Sequence, residues 1–435
     1  MKLDYKKTFL IGFGFFASSI AWSLYNSFVP LMLKQFVGST ALIGLVMTID
    51  NIFGVIFQPL FGQLSDRTRT RFGKRMPYIM VGIPVCAVAF SIIPMMPTLP
   101  LMMAVIIVFN FVMSTWRSPV VALMPDVTPS PLRSKANGVI NLMGGVGSII
   151  AFMLGGMLTR VGGYTLSFFM GSVVMIFALV MLLLFVREPG AVYFPRLAKN
   201  AGGIQRPVTP EPARTTETAT NEQDGGSGSF ADSTRHMSAA EKKSLFALLF
   251  AIFFWFSGYN AVETFFTTYA TEVLKLDPGS AAGMLTYFSL TLVAFAIPSG
   301  ILAGRYGRRR MILIGLCGTI AVFTPMLFID NKLLLTVLLL LGGMFWACIN
   351  INSLPMVVEL ARADRIGSFT GYYYFFSFSA AIASPVLFGL IRDLTGSYRI
   401  LFVYSCSAFA LALICMLMVR HGEAKPMSET QVILE

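Results

Sequence analysis

The chain has 435 residues, of which 56% are hydrophobic and only 12% charged, and its mean hydropathy is +0.73. Soluble domains carry about 25% charged residues, so this composition excludes an ordinary water-soluble protein and points to a bilayer. The net charge of +12 needs no nucleic acid to explain it, because the basic residues cluster in short loops between apolar runs, as on a membrane face beside anionic lipid.

Twelve runs are long enough to cross about 30 Å of hydrocarbon. They lie near residues 8–33, 40–64, 76–96, 100–124, 135–159 and 164–186, then 244–271, 279–303, 310–329, 332–358, 366–391 and 398–419. The first follows Lys2, Lys6 and Lys7 but is longer than a secretory leader and lacks a small-residue cleavage site, so it is read as a retained span. Arg67, Arg69, Arg71, Lys74, Arg75, Arg133, Lys135, Arg305, Arg308, Arg309, Arg310, Arg362 and Arg365 fall in loops on one side. The other side has only Lys34, Arg160, Lys275, Lys332, Arg392 and Arg399. The basic side is expected to be cytoplasmic, with both termini on it, in a cell membrane.

Residues 188–242 form a linker of different composition, rich in Pro, Gly, Thr and Glu, expected to be largely disordered. Its end places Ser238 and Glu241 at capping-box spacing, which predicts a helix running into the seventh span. The expected organisation is an N-terminal six-helix half (1–187), the linker, a C-terminal half (243–420) and a tail (421–435).

The halves repeat each other. Tyr25-Asn26 recurs as Tyr259-Asn260, an offset of 234 from 25 to 259. Pro119 matches Pro355, Gly62 matches Gly300 and Gly138 matches Gly371 at similar offsets. Six spans return the chain to its starting side, so the repeat is parallel about an axis along the membrane normal. The expected fold is an all-α membrane protein of twelve transmembrane helices in two pseudo-symmetric halves.

The loop "GQLSDRTRTRFGKR", Gly62 to Arg75, resembles the signature loop of the major facilitator superfamily. Its second copy, "GILAGRYGRRR", keeps the basic end and has Gly304 where the acid would stand. Gly62, Asp66, Arg67, Gly73, Lys74 and Arg75 are read as a gating latch, with Asp66 reaching the free amides of a neighbouring helix. Asp126, Arg133, Glu359 and Arg365, at the same face, join that gating set. Within the superfamily, "QPLFGQLSDRTRTRFGKRMPY" and "RSPVVALMPDVTPSPLRSKANG" are similar to the glycoside-pentoside-hexuronide symporters and to plant and animal sucrose transporters. That resemblance implies the major facilitator fold and cation-coupled sugar transport.

Arg117 lies about 13 Å of helix rise above Asp126, inside the hydrocarbon. A charge there costs at least ~2.5 kcal/mol and normally faces a partner or a watery cavity. In the sucrose transporters the matching arginine is paired with an acid three turns earlier on its helix; here that position is Ile106. The partner must come from elsewhere, and Asp50 and Glu263 are the carboxylates deep enough to serve. The only histidines, His236 and His421, lie outside the spans, so proton coupling would rest on a carboxylate, whose proton affinity rises on burial and falls beside an arginine. A sodium ion could use the same group.

Trp22, Trp116, Trp255 and Trp346 fall within spans 1, 4, 7 and 10, which the resemblance makes the cavity-lining helices. Aromatic rings stack on the C–H faces of sugars, and amides satisfy their hydroxyls. Tyr25, Asn26, Asn110, Tyr259, Asn260, Asn350 and Asn352 on the same spans, with Arg117, complete the expected substrate set. No Gly-Lys-Ser/Thr phosphate loop is present, and Cys86, Cys317, Cys348, Cys406 and Cys415 show neither disulfide nor zinc spacing. No cofactor or metal, no nucleophile constellation and no enzymatic activity are expected. The expected partners are a small sugar, a proton or sodium ion and the lipid bilayer, with the protein a monomer. Two alternatives stand beside sugar transport: a proton-driven exporter of drugs or amphiphiles, and a transporter-like sensor or scaffold.

Overall fold

The computed structural model describes residues 4–128, 133–186, 188, 237–361 and 366–422. Most of the linker and the end of the tail, and Arg365 of the expected gating set, lie outside the described residues, as does the side chain of Arg133. The described chain is almost wholly helical. Span 1 is Tyr5–Lys34, span 2 Thr40–Arg67, span 3 Met76–Met95 and span 4 Leu99–Val127. Span 7 is Ala239–Glu272, span 8 Pro278–Tyr306, span 9 Arg308–Leu327, span 10 Lys332–Glu359, span 11 Ile366–Thr395 and span 12 Ile400–Met418.

Among the described residues eleven helical stretches are apolar and long enough to cross a membrane, and one of them, Ala136–Phe185, runs for 50 residues. At 1.5 Å per residue it would be about 75 Å long, more than twice the hydrocarbon thickness. It is two crossings. The backbone leaves helical geometry at Gly162 and Gly163, the latter with φ of 67° and ψ of −169°, a conformation that favours glycine. Ser167 Oγ donates to Gly155 O at 2.7 Å although twelve residues separate them; in a straight helix these atoms would stand about 18 Å apart. The chain therefore reverses, span 5 covering 133–161 and span 6 covering 164–185, and the twelve-span reading stands.

Caps set several span starts. Asp4 accepts from Lys7 N at 3.0 Å, Asn331 from Leu333 N at 2.9 Å, and Asp277 from Ser280 N at 2.8 Å. The capping box forms as expected, with Glu241 N to Ser238 Oγ at 3.2 Å and Ser238 N to Glu241 Oε2 at 2.8 Å. Burial does not come from amphipathicity in such chains, because lipid is as apolar as leucine; helices associate through close packing and interhelical hydrogen bonds. Thus Ser172 Oγ donates to Ala87 O at 2.7 Å between spans 6 and 3, and Ser384 Oγ to Ser257 O at 2.5 Å between spans 11 and 7.

The repeat is visible in packing. Tyr25 stacks on Phe109 of span 4 with centroids 5.6 Å apart, and Tyr259 stacks on Trp346 of span 10 at 4.3 Å. In each half the tyrosine of the Tyr-Asn pair ties the first span to the fourth, and the asparagine after it is left for the centre of the molecule.

Candidate functional site: a polar cavity at mid-bundle

Between the halves lies a cavity of about 350 Å³, lined by Phe15, Ser18, Ser19, Trp22, Ser23, Asn26, Asp50, Asn51, Trp116, Arg117, Ser148, Asn260 and Glu263, among others. Spans 1, 2, 4, 5 and 7 all contribute. Gly14 and Val121 line its lower end, so it extends from mid-membrane toward the basic face where span 1 begins. Asp50, Arg117 and Glu263, the three ionisable side chains expected at depth, share this one space. Asp50 Oδ1 accepts from Asn51 N at 2.6 Å and from Asn51 Nδ2 at 2.8 Å. Arg117 sits 5.7 Å from the Trp22 ring centroid, a cation–π distance. Among the described residues, Arg117 has no carboxylate within the 4.0 Å of an ion pair. Its guanidinium therefore faces the cavity with Asp50 and Glu263 across open space rather than locked to either. Among the described residues the buried indole N–H of Trp22 has no partner, a donor available to a bound hydroxyl.

The other expected substrate residues separate into cavity and packing positions. Trp22, Asn26, Trp116 and Asn260 line the space, and Tyr259 lines a smaller pocket beside it. Tyr25 and Trp255 are fully buried in the bundle. Asn110 Nδ2 donates to Tyr25 OH at 3.3 Å, and Asn352 Nδ2 to Ser299 Oγ at 3.1 Å and Cys348 O at 2.9 Å. Trp346 stacks on Tyr259, and Asn350, half-buried, gives its carbonyl to Ser353 Oγ at 2.8 Å. Asn51, Ser23 and Ser148 line the cavity without having been expected. They are short polar residues in apolar helices, and sequence alone gives no sign of which way such residues face.

At the basic face the gating residues gather around Arg75, which is 4% exposed. Its guanidinium donates to Asp126 Oδ2 at 3.0 Å, to Gly62 O at 3.1 Å, and to Ser65 Oγ and Asp66 Oδ1. Lys74 Nζ adds a contact to Asp126 at 3.1 Å, and Arg67 is exposed. Asp66 thus pairs with a side chain, whereas the expectation had it accepting helix amides. Glu188 takes the amides instead: its carboxylate accepts from the N–H groups of Lys74 at 2.9 Å, Arg75 at 2.9 Å and Met76 at 3.2 Å, the free donors that open span 3. Gly73 has φ of 108° and lies against that carboxylate so closely that a Cβ would overlap it. In the second half Arg308 Nη1 donates to Glu359 Oε2 at 2.9 Å and Pro355 O at 3.2 Å. The contacts named here each join residues of one half.

The opposite, far face is where the halves are tied together, through residues that looked in the sequence like scattered loop charges. Asp393 of span 11 accepts from Ser39 Oγ at 2.7 Å, Thr40 N at 2.9 Å and Ala41 N at 3.1 Å, capping span 2 of the other half. Lys34 pairs with Glu272 and lies 5.2 Å over the Tyr398 ring. Arg160 of span 5 donates to Asp277 at 3.3 Å and to Ser280. Backbones meet beneath these ties: a Cβ on Gly389 would stand 2.6 Å from Ala41 Cα, and Gly44 against Pro385 and Gly156 against Gly279 leave still less room. The far face is closed, and among the described residues no ion pair joins the halves at the basic face.

A family model described as Major Facilitator Superfamily matches residues 11–287 and again 248–431. The chain is 25% identical to an uncharacterised transporter of that type from Bacillus subtilis over 191 residues, 43% of this chain and 44% of the relative. It is 24% identical to a sucrose transport protein of Arabidopsis thaliana over 156 residues, 31% of this chain and 26% of the relative. A cis,cis-muconate transport protein of Acinetobacter baylyi is 25% identical over 311 residues, covering 70% of this chain and 68% of that one. For the Bacillus and Arabidopsis proteins, the match spans less than half the relative's length. A crystal structure of a nucleoside transporter superposes with a TM-score of 0.69 at 14% identity, over 96% of this chain and all of the other. At that identity it speaks for the fold alone.

Proposed function

Because the chain belongs to the major facilitator superfamily, we propose that it moves a sugar or glycoside across a cell membrane by alternating access, driven by protons taken up at a cavity carboxylate. The halves 1–187 and 243–420 rock about the cavity, with residues 188–242 linking them on the cytoplasmic side and both termini there. The observation that carries this reading is the grouping of Asp50, Arg117 and Glu263 with Trp22, Trp116, Asn26, Asn51 and Asn260 around one space at mid-bundle. Aromatic faces with convergent amides suit a polyhydroxylated ring, and the unpaired geometry of Asp50 and Arg117 lets substrate compete for the guanidinium as the proton is loaded. A dicarboxylate, which the Acinetobacter relative's name would suggest, meets two acids for one guanidinium.

The test is transport by the purified protein in proteoliposomes against a sugar panel, with an imposed proton or sodium gradient. Uphill accumulation of a sugar under a proton gradient supports the reading; in Asp50→Asn accumulation should vanish while exchange between internal and external sugar persists. Gradient-driven accumulation surviving in Asp50→Asn removes that carboxylate from coupling, and accumulation driven by sodium alone replaces the proton. Proton-driven export of an amphiphile is the second reading, favoured by the apolar pocket that adjoins the cavity, and would appear as outward transport of an apolar compound with no sugar taken up.

A further inference from the structure

The polar cavity has an annex. A pocket of about 100 Å³ opens beside it between spans 5, 7 and 8, and the two spaces share Ser23, Ser148 and Glu263. Ser23 Oγ donates to Ser148 Oγ at 3.0 Å, so this pair forms a hydrogen-bonded sill between them. Beyond the sill the chemistry changes. The walls are Phe152, Tyr259, Phe288, Phe323, Leu292 and Leu339, with Ser289 and Glu263 as polar side chains among them. Phe152 stands on a π-helical turn, Ala151–Gly155, and such turns often reshape a helix at a working site.

We propose, on the basis of the sugar reading above, that the substrate is a two-part glycoside: a sugar ring held in the polar cavity and an apolar aryl or alkyl aglycone lying across the Ser23–Ser148 sill in the side pocket. A second sugar is a poor occupant, because beyond the sill the pocket offers ring hydroxyls only Glu263, Tyr259 and Ser289, and those placed among Phe152, Phe288, Phe323 and Leu339 would lose water without gaining partners. An aromatic ring loses nothing there. Apolar cavities of about 150 Å³ admit benzene, so a phenyl ring would need more than the pocket's 100 Å³, room that rotamer changes at Leu292 and Leu339 would have to supply. The glycosidic oxygen would lie at the sill, where the serine hydroxyls can donate to it.

The experiment is equilibrium binding to the full chain in lipid nanodiscs, which avoids detergents that are themselves alkyl glycosides. The probes are methyl and phenyl glycosides of common hexoses and pentoses, together with phenol. The expected result is a phenyl glycoside binding about tenfold or more tighter than the methyl glycoside of the same sugar, from burial of one ring. Ser289→Leu, which fills the side pocket, should erase that preference and leave methyl glycoside affinity unchanged. Leu292→Ala, which enlarges it, should shift preference toward a naphthyl glycoside and guards against misfolding of the first variant. Equal affinities for methyl and phenyl glycosides in the wild type would overturn the two-part substrate while leaving sugar transport standing. So would an equal loss of both in Ser289→Leu. Phenol binding as tightly as its glycoside would overturn it in favour of an amphiphile exporter, and failure of every glycoside would bring down the sugar reading with it.

Discussion

Asp393 caps a helix that belongs to the other half, and that makes it the most informative residue to perturb on the far face. Its carboxylate, 26% exposed, accepts from Ser39 Oγ, Thr40 N and Ala41 N. Hydrogen bonds to a charged group contribute about 1.5–3 kcal/mol against about 0.5–1.5 kcal/mol for neutral ones. The N-terminal dipole adds about 0.3–1 kcal/mol. In Asp393→Asn the charge is gone and only one of the two side-chain termini can accept, so after allowance for the partial exposure the closed far face should lose about 2 kcal/mol, a shift of about thirtyfold in its ratio to the open form. Spin labels at Leu42 and Leu394, 53% and 88% exposed on opposite halves, would read this as a distance distribution, in a background with the five native cysteines replaced. The wild type should show one short distance; Asp393→Asn should add a longer one, and Asp393→Ala should make it dominant. Identical distributions in all three proteins would refute the assignment of Asp393 as a clamp.

Arg75→Ala removes a buried guanidinium, takes from the exposed Asp66 its partner and leaves Asp126 with Lys74 alone; about 1.5–3 kcal/mol of stability should go with it, seen as a fall in melting temperature and in folded yield. Gly73→Ala forces a Cβ into the Glu188 carboxylate at a φ of 108° and should cost at least about 1–2 kcal/mol, measured by thermal unfolding. A Gly73→Ala protein as stable as the wild type would show that the start of span 3 can rearrange. For Asp277, burial would raise the carboxyl, but hydrogen bonds from Ser280 and the Arg160 guanidinium outweigh it and hold the group below its usual 3.8. A depressed folded value means that the tie is fully present above the ordinary carboxylate range and is lost only as pH falls through the lower folded value. Far-face closure at spans 5 and 8, followed by fluorescence labels on the two helices, should therefore be flat from about pH 5 to 8 and weaken only in stronger acid.

The twelve crossings were legible because hydropathy and length suffice for them, even where two spans run together through Gly162 and Gly163. So was the depth of Asp50, Arg117 and Glu263: an ionisable group in oil must face something, and the rise per residue locates it. Facing direction was not legible. Asn110 and Asn352 look like Asn26 and Asn260 in the sequence, yet they satisfy Tyr25 and Ser299 inside a half. In helices surrounded by lipid and protein alike, no polar stripe marks the inward side. The far-face ties were hidden for a different reason. Lys34 and Arg160 read as sparse loop charges, and the pairing of this face across 117 to 354 positions of chain, through Asp277 and Asp393 among others, is set only by the packing of the two halves. Glu188 was missed likewise, since nothing beside it in the sequence announces that it will hold the amides of span 3.

The glycines on the far face have a further consequence. Where Gly44 meets Pro385, Gly389 meets Ala41 and Gly156 meets Gly279, the halves touch main chain to main chain, so there is no side chain to swing aside and no slack to absorb an added atom. A seam of that kind can be wedged. A single bulky residue at Gly389 would hold the far side ajar while leaving the cavity lining and the networks at the other face intact. The molecule thus offers a defined place to trap the conformer that its present closure conceals.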